Sequence, residues 1–95
     1  MRDETRYNTG MKIRREVVGA EYDDVIQSSE TEFSQPIRDW TTENVWGTVW
    51  ADDTLSRKTR SLLNVALTTA LRCSHEIKVH TRGALRNGCT KEEIR

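Results

Sequence analysis

What this sequence has little of already narrows its nature. No apolar run approaches the roughly 20 residues of a membrane span, and the charged start Met1-Arg2-Asp3-Glu4 is not followed by the apolar core of a signal peptide. The chain therefore reads as cytoplasmic, with no membrane partner. Its two cysteines, Cys73 and Cys89, lie sixteen positions apart with no C-x-x-C pair. That excludes a disulfide framework and offers no metal-ligand spacing, so reduced thiols and no metal are expected. A single proline, Pro36, and the absence of strand-period alternation leave helices as the main element. Net charge is zero, with fifteen basic and fifteen acidic side chains.

Ninety-five residues make one small domain, expected to cover residues 1–95, and such a domain buries only roughly 60 to 65% of its unfolded surface. With 35% hydrophobic against 32% charged residues and a mean hydropathy of −0.76, a lone copy has a thin core. A homo-oligomer that recovers burial at a subunit contact is the first expectation. The charges are segregated: residues 1–55 hold twelve acids and six bases, residues 56–95 three acids and nine bases. The second half should attract anions such as a neighbouring subunit, a carboxylate substrate or a phosphate backbone, unless the two halves neutralise each other within the fold.

Tyr7, Met11, Arg14 and Val18 share one helical face over residues 3–18, and Gly19 follows as a stop. Residues 20–36 read as a loop with at most one turn of helix, anchored by Phe33, Val25 and Ile26. A second helix runs from Ile37 through Trp40, Trp46 and Trp50 to the turn Ala51-Asp52-Asp53-Thr54, its tryptophans mainly core. Ser56 caps a third helix whose rows Leu62, Ala66, Ala70 and Leu63, Leu67, Leu71 mark it as the central buried helix. Ser74 can cap a fourth helix ending at Asn87 with Gly88 as its stop. Thr90-Lys91-Glu92-Glu93 is a capping box that opens a fifth. The fold class is all-α.

On the fourth helix Cys73, Glu76, His80, Ala84 and Asn87 form one stripe, with Lys78, Arg82 and Arg86 opposite. The cationic row is most simply a solvated face. The other stripe, beside Ile77 and the small Gly83 and Ala84, should face inward or into a cleft. Glu76 and His80, four apart, can hydrogen-bond, raising the histidine pKa and fixing its tautomer for proton transfer. The plainer reading of the same spacing is an ordinary i, i+4 ion pair. Cys73 is a candidate redox thiol without a second cysteine three residues away.

The chain resembles the carboxymuconolactone decarboxylase family, a branch of the AhpD-like helical fold. Trp46-Gly47 with Trp50, Arg57-Lys58-x-Arg60-Ser61-Leu62-Leu63, Ala70-Leu71, Glu76-x-x-x-His80 and Ala84-x-x-Asn87-Gly88-x-Thr90-x-x-Glu93-Ile94 carry the resemblance. Gly10-x-x-x-Arg14-x-x-x-Val18-Gly19-x-x-Tyr22 looks like the family's opening helix. The resemblance implies a homo-oligomer, hexameric or trimeric, with sites near subunit contacts. It also implies a cofactor-free lyase that removes carbon dioxide from a carboxylated lactone in the β-ketoadipate pathway of aromatic catabolism.

On that reading the partner is a small anionic organic substrate. His80 delivers the proton, Glu76 orients it, Arg60 or Arg57 holds a substrate carboxylate, and Trp46 belongs to the substrate site. The peroxidase branch carries C-x-x-C-x-x-x-H where this chain has Cys73-Ser74-His75-Glu76-Ile77-Lys78-Val79-His80, so glutamate replaces the second thiol. After Trp50 the family commonly has an arginine, and here Asp52 stands in that segment. The family also continues through further C-terminal helices beyond the end of this sequence. Two alternatives are an AhpD-like peroxidase relative using Cys73 and a catalytically degenerate oligomeric subunit. Nucleic-acid binding is not expected, because the basic residues of the fourth helix lack flanking aromatic or amide readers.

Overall fold

The computed structural model describes residues 2–95, all-α as expected, with no strand among them. The helices are α1 (Glu4–Val18), α2 (Ala20–Ser28), α3 (Gln35–Thr41), a π-helical segment (Thr42–Val49), α4 (Arg57–Ala70), α5 (Ser74–Arg86) and α6 (Lys91–Ile94). They gather into two compact units, the first running to Asp52 and the second from Asp53 to Arg95. No helix among the described residues is long and apolar enough to cross a membrane.

In the N-terminal unit Asp3 caps α1 by accepting from the Arg6 amide at 3.1 Å. Gly19, at φ 98°, ends the helix with its N–H on the Arg15 carbonyl and at once opens α2, whose Asp23 amide donates to the Gly19 carbonyl at 3.0 Å. The expected loop over residues 20–36 is therefore corrected. Its first half is helical because acids in the first turn suit the positive helix end and Arg15 ties Asp23 and Asp24 at 3.2 and 2.6 Å. Nor do Val25 and Phe33 anchor this stretch, since they are 65% and 96% exposed.

The expected single helix from Ile37 to Trp50 is α3 followed by a π-helical stretch, its wide i→i+5 pattern carried on by the Trp50 amide donating to the Val45 carbonyl. This segment lies against α1 at the closest possible approach. A Cβ built on Gly10 would stand 2.0 Å from the Thr42 carbonyl oxygen, and one on Gly47 would stand 2.1 Å from that of Arg6. Only glycine fits at either place. Ile13, Val17, Val18, Trp46 and Trp50 form the core, with the last two rings 5.1 Å apart, whereas Trp40 is 56% exposed and so not part of it.

The C-terminal unit is a helical hairpin with a short tail. Ser56 caps α4 as expected, accepting from the Thr59 amide. The α4–α5 turn places Arg72 at φ 58°, with the Arg72 and Cys73 amides donating to Thr69 and Thr68. That is a Schellman stop built on arginine rather than glycine. α5 starts without a side-chain cap: Cys73 takes the capping position and Ser74 is already helical, correcting the expected Ser74 cap. At its far end Gly88, at φ 92°, closes a second Schellman turn with Cys89 N–H on the Ala84 carbonyl. Thr90 and Glu93 form the capping box of α6.

The expectation that α4 is the central buried helix fails in the isolated chain. Ser61 is its one buried residue among those described, while Leu63, Leu67 and Leu71 are 49%, 57% and 72% exposed. A two-helix hairpin covers only one side of each helix, so the outer leucine row has nothing to pack on.

Candidate active site

α4 and α5 run antiparallel, held at one end by the Asn87 side-chain amide donating to the Ser61 hydroxyl at 2.9 Å and by the Cys89 thiol on the Lys58 carbonyl at 3.6 Å. Because Asn87 faces α4, residues seven and three before it face α4 too. Ala84 is fully buried there, and Gly83 beside it lets the helices approach. His80 lies one turn further along, half-buried, with its Nδ1 shut away from solvent and without a hydrogen-bond partner.

Glu76, one turn on again, is exposed and makes no hydrogen bond to His80. Burial pushes the His80 pKa below its ordinary 6.5, and the charge of Glu76 offsets this only in part. The expected rise is thus reversed: one exposed carboxylate that is not hydrogen-bonded to the ring is outweighed by desolvation. The imidazole is neutral near pH 7, with an unspent buried nitrogen. Lys78, Arg82 and Arg86 are exposed, as the opposite face should be.

Arg57 and Arg60, half-buried in the first turn of α4, share the Ser61–Asn87 end of the hairpin. Seven residues of helix separate Asn87 from His80, an axial offset of about 10 Å. Cys73 and Cys89 flank α5 at opposite ends, about 20 Å apart along its axis, too far for a disulfide within one chain. Cys73 is half-buried; burial also raises the pKa of the Cys89 thiol. Among the described residues no three His, Cys, Asp or Glu side chains converge as metal ligands.

The expected Trp46 lies in the N-terminal unit, 7% exposed, on the wall of a pocket of about 270 Å³. Beneath that pocket lies a buried ionic cluster that the sequence reading missed. Asp23, 1% exposed, is ion-paired with Arg14, its Oδ1 2.7 Å from Arg14 Nε, and accepts from Arg14 Nη2 at 3.4 Å, Arg38 Nη2 at 2.9 Å and Arg15 Nη1 at 3.2 Å. Arg14 also donates to the Thr42 hydroxyl, which in turn donates to the Arg38 carbonyl. Burial lowers the Arg14 pKa from the usual arginine value, with the charge of Asp23 acting against it. A signal was there: Arg14 falls on the same helical face as Val18, where an unpaired cation would not be tolerated.

A model of the carboxymuconolactone decarboxylase family matches residues 36–95, from the middle of α3 through the whole hairpin. A nitrosuccinic acid decarboxylase of Metarhizium robertsii is 42% identical over 89 residues, covering 94% of this chain and 62% of that protein. The 4-carboxymuconolactone decarboxylase of Acinetobacter baylyi is 35% identical over 95 residues, covering all of this chain and 71% of that protein. The chain belongs to the carboxymuconolactone decarboxylase family. Within this family both relatives are carboxy-lyases by name, although those names specify different substrates. The family match contains Trp46, Arg57, Arg60, Glu76 and His80, and it leaves Arg14 and Asp23 outside.

Proposed function

We propose that the chain is a decarboxylase of small polycarboxylates whose loss of carbon dioxide leaves a delocalised carbanion, with His80 as the proton donor. The two named substrates share that chemistry. In a carboxylated lactone the electron pair of the broken carbon–carbon bond spreads onto the lactone carbonyl oxygen. In nitrosuccinic acid it spreads onto the nitro group. The residue set needed is a cationic clamp for a second carboxylate and a proton for the carbanion carbon. Arg57 or Arg60 is the clamp, His80 supplies the proton and regains it from water, and Glu76 moderates the charge of the ring. What carries this reading is the half-buried His80 ring with its unspent nitrogen, on the α4-facing stripe of α5.

A lowered pKa makes the imidazolium a stronger acid and also scarcer in the free chain. Substrate carboxylates close to the ring raise its pKa again, so binding itself loads the proton. The pH profile follows. The kcat/KM should fall as pH rises through a value below 6.5, the free His80 titration, while kcat should fall at higher pH. The same shift acts on folding with a defined sign. The unfolded chain binds the His80 proton first, so stability is fully present above pH 6.5 and declines as pH falls below it.

The deciding assay is carbon dioxide release from carboxymuconolactone and from nitrosuccinate by wild type and His80→Ala. Loss of about a hundredfold or more in kcat is expected for the variant; undiminished turnover would remove His80 from the mechanism. The exposed Leu63, Leu67 and Leu71 row supports action as a homo-oligomer, since another copy would cover it.

A further inference from the structure

The pocket above the Asp23 cluster has a chemistry of its own. Its walls carry two guanidinium groups, Arg14 and Arg38, one carboxylate, Glu30, and the apolar surfaces of Ile37 and Trp46. Arg14 is 5% exposed and the Arg38 side chain 11%. Both spend their charge on the same carboxylate, Asp23, which Arg15 also claims, and Arg15 is matched separately by Asp24 at 2.6 Å. One positive charge is left over at the pocket wall. Glu30 meets it only loosely, with Oε1 3.5 Å from Arg38 Nη1, while its other oxygen accepts from the Ser34 hydroxyl.

We propose that this pocket is a binding site for a small organic carboxylate with a flat apolar body. Its carboxylate takes the place of Glu30 on Arg38, backed by the buried charge of Arg14, and its body lies against Trp46 and Ile37. Glu30 is then an internal competitor on the segment joining α2 to α3, and it swings away when the ligand binds. A volume of about 270 Å³ admits one ring with its carboxylate. The desolvated guanidinium pair makes the charge of the ligand, rather than its apolar body, the decisive feature. The inference stands whether or not the chain is a decarboxylase, because it concerns binding and not turnover.

The test is a titration of the full chain with benzoate and with its neutral counterpart benzyl alcohol, followed by amide and indole NMR signals. Benzoate should move the Trp46 indole N–H saturably, with a Kd on the order of 1 mM, and benzyl alcohol should not. Glu30→Gln should tighten benzoate by about threefold or more, and Ile37→Asp should weaken it by about tenfold. Both variants leave Arg14, Arg38 and Asp23 paired. Arg38→Met should abolish binding; where that variant loses its dispersed spectrum, the other two still decide. Equal binding of benzoate and benzyl alcohol, a stationary Trp46 signal, or benzoate affinity unchanged in both Glu30→Gln and Ile37→Asp would overturn the proposal.

Discussion

The two units of this chain solve the same problem, stabilising a few short helices, by different means. The N-terminal unit packs Ile13, Val17, Val18, Trp46 and Trp50 and then buries charge among them, with Arg14 on Asp23 and Glu43 on Arg6 at 2.6 Å. The C-terminal unit buries little beyond Ser61, Gly83, Ala84 and Cys89 and leaves Leu63, Leu67, Leu71 and Leu85 between 43% and 72% exposed. The difference teaches where each unit is vulnerable. In the first, three arginines share the one buried carboxylate of Asp23, so a single deletion there strands buried charge. In the second, apolar surface is unspent and single changes on it have little to break.

The comparison can be broken most severely at Asp23. Asp23→Asn leaves the buried Arg14 without its counter-ion and should cost about 3–5 kcal/mol in a urea unfolding curve. A loss under about 1 kcal/mol would mean that the cluster is not what secures the N-terminal unit. Next is Gly10→Ala. The added methyl meets backbone rather than a flexible side chain, so destabilisation at or above the usual overpacking range of about 1–3 kcal/mol is expected, read as a fall in Tm.

In the C-terminal unit the effects shrink and can change sign. Arg72→Gly relieves a left-handed backbone at a Schellman turn and should stabilise by up to about 1 kcal/mol, seen as a raised urea midpoint. Leu67→Gln should alter the stability of a lone chain by no more than about 0.5 kcal/mol, since the side chain is already 57% exposed. If another copy covers that row, light scattering should instead show the variant at lower mass than wild type. Identical masses would remove the leucine row from any assembly contact.

Much of this arrangement was legible in the chain itself. The 3.6-residue rows, Gly19 and Gly88 as stops, Ser56 as a cap and Thr90 with Glu93 as a capping box are local signals, and each is read out within one or two turns of its own helix. The stripe holding His80 was legible for the same reason. What escaped was non-local or masked by composition. The acids and serines of residues 20–36 look like a loop, and their helix is supported by Arg15 from another element. The widened Thr42–Val49 backbone answers to α1 crossing at Gly10 and Gly47, a fit between two segments more than thirty residues apart.

The amino-acid order alone therefore determined the all-α class, most helix limits, the family and the placing of an acid and an imidazole on one stripe, because spacing and capping chemistry act over a few residues. Tertiary structure alone decided three things. The His80 pKa moves down because solvent exclusion outweighs Glu76. Arg14, Arg38 and Asp23 converge under a pocket because three separate helices meet there. The leucines of α4 stay exposed because a hairpin has only one inner face. Burial and charge pairing depend on what lies across space from a residue, and no periodicity within a helix encodes that.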